Sequence, residues 1–202
     1  MTQAKTALDG LRVLEISALS GAVAGRVLAD LGAEVIKIEP EGGEPFRRAL
    51  PCVPTLEGEE SAAWLAFNHG KKSVTLDLAS DAGLRGFATL SAKADIVVTD
   101  WERMDLDEMD RLAKEARKAN PALVWTEILP FGRGAPFERY AATDTTLQAL
   151  GGHLYLNGDV DRPPVRISLP VGLIQGGAEA ASAALMAYWH ALKTGVGQRV
   201  DI

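Results

Sequence analysis

Residues 11–40 read LRVLEISALSGAVAGRVLADLGAEVIKIEP, and the fold follows from how this stretch divides. Residues 11–16 are a short apolar run of strand length. Residues 17–21 interrupt it with small side chains. Residues 22–31, rich in Ala, Leu and Val, have the length of a helix. Gly32 stops that helix, and residues 34–38 form a second apolar run with β-branched side chains. Strand, small-residue turn, helix, glycine stop and strand make a βαβ unit. Such a unit opens a Rossmann-like, doubly wound, mostly parallel α/β sheet, whose ligands sit beyond the carboxyl ends of its strands. The turn at 17–21 is therefore the first place to expect a site.

The rest of the chain continues the alternation. Residues 40–51 read as an irregular loop carrying Arg47 and Arg48, residues 52–61 as a polar, acidic, exposed stretch, and residues 64–67 as a short apolar patch. After a turn at 68–72, residues 73–78 alternate as a third strand. Residues 81–92 fit a helix, 95–99 (DIVVT) a buried strand, 107–118 a charged helix stopped by Asn120-Pro121, and 123–128 a fifth strand. The Gly/Pro-rich loop at 130–142 is long enough to suggest a functional role. A short helix is expected at 143–150, a loop at 151–164, the longest helix at 176–194, and a further strand from 198 to 202. Its position at the end of the sequence leads us to expect a continuation or a partner strand there.

The 202 residues suit a single domain, 1–202, with a substantial core. A net charge of −6 disfavours bulk nucleic-acid binding. One cysteine, Cys52, forms no internal disulfide and fits a reducing, cytoplasmic setting. No apolar run approaches the roughly 18 residues of a membrane span, and the first ten residues lack the apolar core of a signal peptide.

Chemistry-bearing residues are few. Gly21, Gly25 and Glu39 partly echo a dinucleotide fingerprint, but G-x-G-x-x-G spacing is absent. The plainer reading is that Gly25 lets the helix approach the sheet. Lys37, Arg47, Arg48, Lys71, Lys72 and Arg103 fall near expected strand ends, where converging cations suit a phosphate-bearing ligand; solvated charges are the equal alternative. His69, His153 and His190 lack metal-ligand spacing, so no metal is expected, and His190 reads as structural. Asp144 ends the long loop and is the acid best placed by context, although it also suits a helix cap near Thr143.

Six motifs, in order, resemble the CoA-transferase family III, the group that includes formyl-CoA transferase, carnitine CoA-transferase and α-methylacyl-CoA racemase. They are LDGLRVLEIS with LADLGAEVIKIEP, FNHGKKSVTLDL, ADIVVTDW, ANPALVWTEILPFG, RPPVRISLPVG and KTGVGQRVDI. The resemblance implies a Rossmann-like large domain, without the family's small domain. It also implies coenzyme A or acyl-CoA as a substrate instead of a resident cofactor. The positions it implies for CoA contact are Ser17, Ala18, Lys37, Lys71, Lys72, Leu76, Asp100 and Trp101. In the family an aspartate acts as nucleophile, and in the racemases it pairs with a histidine for proton abstraction.

Four positions depart from that pattern. Leu173 stands where the aspartate belongs, and Thr143 where the racemase histidine belongs. Ala79 replaces a lysine and Glu108 an arginine that contact CoA phosphates. The expectation is a degenerate, family III-like subunit or half-domain. It would act on acyl-CoA thioesters only with a second family chain that supplies the aspartate, in an obligate oligomer. The competing expectations are a non-catalytic scaffold for an active homologue and, more remotely, a nucleotide-binding oxidoreductase.

Overall fold

A computed structural model describes residues 6–56 and 58–202; the first five residues and Glu57 lie outside the described residues. In chain order the strands are β1 (Arg12–Ile16), β2 (Glu34–Glu39), β3 (Cys52–Thr55), β4 (Gly58–Ser61), β5 (Lys72–Thr75), β6 (Ile96–Asp100), β7 (Val124–Ile128) and β8 (Arg199–Asp201). The helices are α1 (Leu19–Asp30), α2 (Ala62–Asn68), α3 (Asp81–Ser91), α4 (Leu106–Ala119), α5 (Asp144–Leu150), α6 (His153–Leu156) and α7 (Val171–Thr194). Six strands form one parallel sheet in the order β5-β2-β1-β6-β7-β8, and β3 and β4 pair as a separate antiparallel hairpin.

Alternation along each strand sorts the core into two layers. Leu14, Ile16, Val97 and Trp125 face α3 and α4, meeting Phe87, Met109, Leu112 and Ala116. Val13, Ile96, Val98 and Val124 face α1 and α7, meeting Leu28, Ala180 and Ala184. Each such fully buried aliphatic side chain contributes roughly 1.5–3 kcal/mol over its exposed state. The alanines of α7 allow its close approach to α1. At Gly177 a Cβ would stand 2.2 Å from the Ser20 carbonyl oxygen, so this crossing admits no side chain. Among the described residues, no helix is long and apolar enough to cross a membrane.

Several boundaries differ from the sequence reading, and each difference has a cause. Helix α1 begins at Leu19, within the expected turn, because its first amides are capped from β6 instead of locally. Helix α7 begins at Val171, five residues early, for a similar reason: the Asp144 carboxylate accepts from the Gly172 amide at 3.0 Å. Within the polar stretch, β3 and β4 pair antiparallel, although their residues lack the apolar alternation that marks a strand. The apolar patch at 64–67 lies in α2, capped by Ser61, whose hydroxyl accepts from the Trp64 amide at 3.2 Å. Helix α6 falls within the expected loop at 151–164. His190, read as structural, is exposed on α7.

The long loop at 130–142 is pinned by charge and by aromatic packing. Arg133 donates to the fully buried Glu127 at 2.7 and 3.0 Å, and Arg139 donates to Asp107 at 2.8 Å. The Phe137 ring sits 5.3 Å from Phe131 and 6.4 Å from Tyr140. These contacts place the loop beside the carboxyl ends of β6 and β7.

Candidate functional site

The strand order reverses beside β1. The chain runs outward from β1 to β2 and β5, then returns to set β6 on the other side of β1. In doubly wound sheets, the crevice beyond the carboxyl ends at such a reversal is where ligands bind. Ser17, Ala18 and Ser20 enter it after β1, and Asp100, Trp101 and Glu102 after β6.

Asp100 is fully buried and serves the start of α1. Its carboxylate accepts from the amides of Ala18 at 3.0 Å and Gly21 at 3.0 Å, and from the Ser20 hydroxyl at 3.2 Å. Burial pushes the Asp100 carboxyl up. The two amides, the Lys37 charge and the Ser20 hydroxyl offset that only in part. Glu102 lies over the same turn: its carboxylate accepts from the Ser20 amide and hydroxyl, each at 3.1 Å. The residue as a whole is open to solvent, but its carboxylate is tucked against Ser20. Burial of that carboxylate, followed by the charge of Asp100, raises it to about 7. The helix start where a nucleotide-binding sheet seats a pyrophosphate is thus engaged by two carboxylates of the chain itself.

Five of the six cations near the strand ends, Lys37, Arg47, Lys71, Lys72 and Arg103, are paired with carboxylates, while Arg48 is exposed. Lys37 is 1% exposed and its ammonium donates to Glu15 at 2.6 Å and to the Ser17 carbonyl at 2.7 Å. Lys71 donates to the other Glu15 oxygen at 2.6 Å and to the Ala22 carbonyl at 2.8 Å. Burial lowers Lys71 to about 8, partly opposed by Glu15. At Gly25 a Cβ would sit 1.9 Å from Glu15 Oε2, so this glycine makes room for the buried ion cluster. Arg47 holds Glu39 through two hydrogen bonds, at 2.7 and 2.8 Å, and lies 4.1 Å over the Trp64 ring. Burial pushes the Glu39 carboxyl up, but Arg47, Ser73 and the Glu44 amide outweigh it and bring it to about 2. Arg103 pairs with Glu44 at 2.8 Å, and the exposed Lys72 pairs with Glu34.

Trp101 and Leu173 meet on the other side of the crevice, in the wall of a cavity of about 320 Å³ between the ends of β6 and β7 and helices α5 and α7. Ile128, Leu129 and Leu147 add to its apolar lining, and His153 and Glu179 stand at it as titratable groups. The Leu173 side chain is 9% exposed and packs with Leu19 and Val23. Asp144 does not reach into this space as a free acid. One of its oxygens accepts from the Gly172 and Leu173 amides at 3.0 and 3.4 Å, and the other from Gln148 at 2.6 Å. Thr143 caps α5, its hydroxyl accepting from the Thr146 amide at 3.3 Å. A larger hollow of about 550 Å³ lies beside Trp125 and Arg199, near the first residues of β7 and β8 and away from the crevice.

Of the other positions tied to CoA by resemblance, Leu76 is half-buried against the α3–α4 layer and its amide bonds the Glu39 carbonyl. Ala79 is exposed before α3, and Glu108 occupies the first turn of α4, where a negative charge suits the helix dipole. Ser17, Ala18, Asp100 and Trp101 come together at the crevice. Lys37 and Lys71 lie behind it, turned inward, and Lys72 lies apart. Sequence reasoning missed Glu15 and Glu102. A charged residue inside the apolar run 11–16 was the available signal for Glu15. Nothing local distinguishes Glu102. Among the described residues, no group of three or more metal-ligating side chains forms.

Comparison with known proteins agrees with this architecture. CoA-transferase family III is matched over residues 8–202. The succinate–glutarate CoA-transferase of Agrobacterium fabrum is 35% identical across 100% of this chain and 52% of its own length. The alpha subunit of succinyl-CoA–L-malate CoA-transferase from Chloroflexus aurantiacus is 32% identical across 99% of this chain and 47% of its own. A crystal structure of a CAIB/BAIF family protein from Brucella suis superposes with a TM-score of 0.90 at 31% identity, covering 98% of this chain and 53% of that one. The chain spans about half the length of the curated relatives it matches. With the parallel sheet, its reversal beside β1 and this similarity along its whole length, the chain belongs to CoA-transferase family III.

Proposed function

We propose that this chain is a CoA-transferase family III subunit or half-domain that acts on acyl-CoA thioesters only when a partner chain supplies the catalytic carboxylate. The observation that carries this reading is Leu173. It sits at the first turn of α7, on the wall of the apolar cavity beside the crevice. Covalent transfer by a carboxylate needs an oxygen nucleophile that forms a mixed anhydride and releases the CoA thiolate. A leucine side chain offers none, and the nearby Asp144 is committed to the amides that start α7. The crevice beside Trp101 would take the thioester end of the substrate, and a cytoplasmic setting fits the free Cys52.

A second reading, a non-catalytic scaffold that pairs with an active homologue, is favoured by the carboxylates of Asp100 and Glu102 at the crevice and by Glu108 and Ala79. Negative charge there opposes CoA phosphates. The same carboxylates speak against a nucleotide-binding oxidoreductase.

The test is mass spectrometry of the purified chain incubated with succinyl-CoA and a dicarboxylate acceptor. The expected result is no acyl or CoA adduct and no exchange. A trapped adduct on the wild-type chain alone would overturn the proposal. With Leu173→Asp, an adduct at position 173 is expected. Titration with coenzyme A separates the two readings, because a scaffold binds none.

A further inference from the structure

The cavity between the ends of β6 and β7 and helices α5 and α7 has a one-sided lining. Trp101, Ile128, Leu129, Leu147 and Leu173 make most of its wall apolar. Among the described residues that line it there is no lysine and no arginine. The charge beside it is negative. Glu179 on α7 belongs to the wall, its carboxylate accepting from the Gln175 side chain at 3.1 Å. Asp144 adds a second carboxylate at the start of the same helix, held by the Gly172 and Leu173 amides. Two arginines of the neighbouring segments are engaged elsewhere and form no part of the wall: Arg103 pairs with Glu44 at 2.8 Å and Arg166 with Asp144 at 3.8 Å. His153 is the single lining side chain able to carry positive charge.

We propose that this cavity is the acyl pocket of the site, and that it selects an uncharged, apolar acyl group over one that ends in a carboxylate. The acyl-CoA ligand itself rests on the function proposed above; the choice among acyl groups comes from the lining. A thioester seated beside Trp101 turns its acyl chain to a wall that Ile128, Leu129 and Leu147 make apolar. A terminal carboxylate entering that space gives up its water and meets no lysine or arginine to replace it, which is costly. It also meets the like charge of Glu179. An apolar chain end gains by the same transfer, because it leaves water for carbon. Size permits a branched or aromatic group. An apolar cavity of about 150 Å³ already admits benzene, and this one measures about 320 Å³.

Calorimetric titration of the full chain with isocaproyl-CoA, succinyl-CoA and free coenzyme A tests this. The two thioesters differ only at the far end of the acyl chain, where an isopropyl group replaces a carboxylate of similar shape. Wild type is expected to bind isocaproyl-CoA about tenfold more tightly than succinyl-CoA, the low end of what a hydrophobic pocket achieves for one methylene, and more tightly than free coenzyme A. Leu147→Arg sets a cation in the wall and is expected to reverse the order of the two thioesters. Gly176→Val narrows the cavity beside Ile128, whose Cγ2 stands 3.4 Å from a Cβ at that position, and is expected to erase the gain over free coenzyme A. His153→Leu is expected to leave succinyl-CoA affinity within about twofold, well inside the span that one methylene commands. A wild-type chain that binds isocaproyl-CoA no more tightly than succinyl-CoA or free coenzyme A overturns the pocket and leaves the acyl-CoA reading standing. Loss of succinyl-CoA binding in H153L does the same, since His153 would then be holding the acyl carboxylate. Failure of all three ligands to bind overturns both.

Discussion

Glu15 shows at the scale of one residue how the fold spends a charge. It is fully buried on the α1 face of β1, with Lys37 and Lys71 each 2.6 Å away. Burial pushes its carboxyl up, and the two ammonium groups more than reverse this. A buried ion cluster contributes little net stability when intact, because desolvation offsets the attraction, but removing one member strands the others. Glu15→Ala is therefore expected to destabilise the chain by about 3–5 kcal/mol. The triple replacement Glu15→Leu, Lys37→Met, Lys71→Met is expected to recover most of that loss. Urea unfolding of both proteins checks it: a triple variant no more stable than E15A would show that the cluster does more than balance its own charge. Leu173 is the opposite case. Its carbon side chain costs nothing to bury, and the cavity wall it completes with Leu147 and Trp101 is apolar for that reason.

Helices α1 and α7 share a device at the scale of the element. Each begins where a carboxylate from a distant segment accepts its first amides, Asp100 for α1 and Asp144 for α7. The two helices then cross at Gly177, against the Ser20 carbonyl and the Val23 side chain. The listening end of this contact is the crevice itself, since Ser20 also carries the Asp100 and Glu102 bonds. Gly177→Ala would place a methyl 2.2 Å from backbone oxygen, so the helices must separate. Overpacking of this kind typically costs about 1–3 kcal/mol. A fall in the urea midpoint with an unchanged slope, together with a shifted Ser20 amide, is the expected outcome. An unchanged midpoint would mean that α1 and α7 tolerate a wider spacing.

The whole molecule leaves apolar surface uncovered on the outer side of α7. Met186, Trp189 and Leu192 are between 61% and 67% exposed, with Lys193 lying 4.4 Å over the Trp189 ring. Leu185 and Tyr188, on the same helix, pack partly against the core. Tyr155, Leu156, Val165 and Leu169 are also exposed, in the segment from α6 to the start of α7. Contiguous apolar patches above a few hundred Å² mark interfaces. We expect the chain to associate, most stably with a second family III chain, burying upward of about 2,000 Å² as permanent complexes do. Sedimentation velocity at micromolar concentration tests this, with Met186→Glu and Trp189→Glu expected to shift the chain toward monomer. A wild-type monomer unaffected by co-expression with a second family III chain would sink the idea.

The sequence by itself determined the layered α/β sheet. Apolar runs of strand length, helical spacing between them and stops such as Gly32 and Asn120-Pro121 are local features, and local features set which elements form. The order of six motifs also carried the family. The sequence marked Leu173, Thr143, Ala79 and Glu108 as departures, because substitution at a motif position is visible without coordinates. Tertiary structure alone decided the character of the crevice. Lys37 and Lys71 read as ligand-facing cations, yet they face Glu15, whose partners lie 22 and 56 residues away. Helix α1 starts early because Asp100, some 80 residues on, supplies its cap. Glu102 stands out only once Ser20 and Asp100 stand beside it. Charge pairing and capping depend on which distant groups the sheet brings within about 3 Å, and no periodicity along the chain encodes that distance.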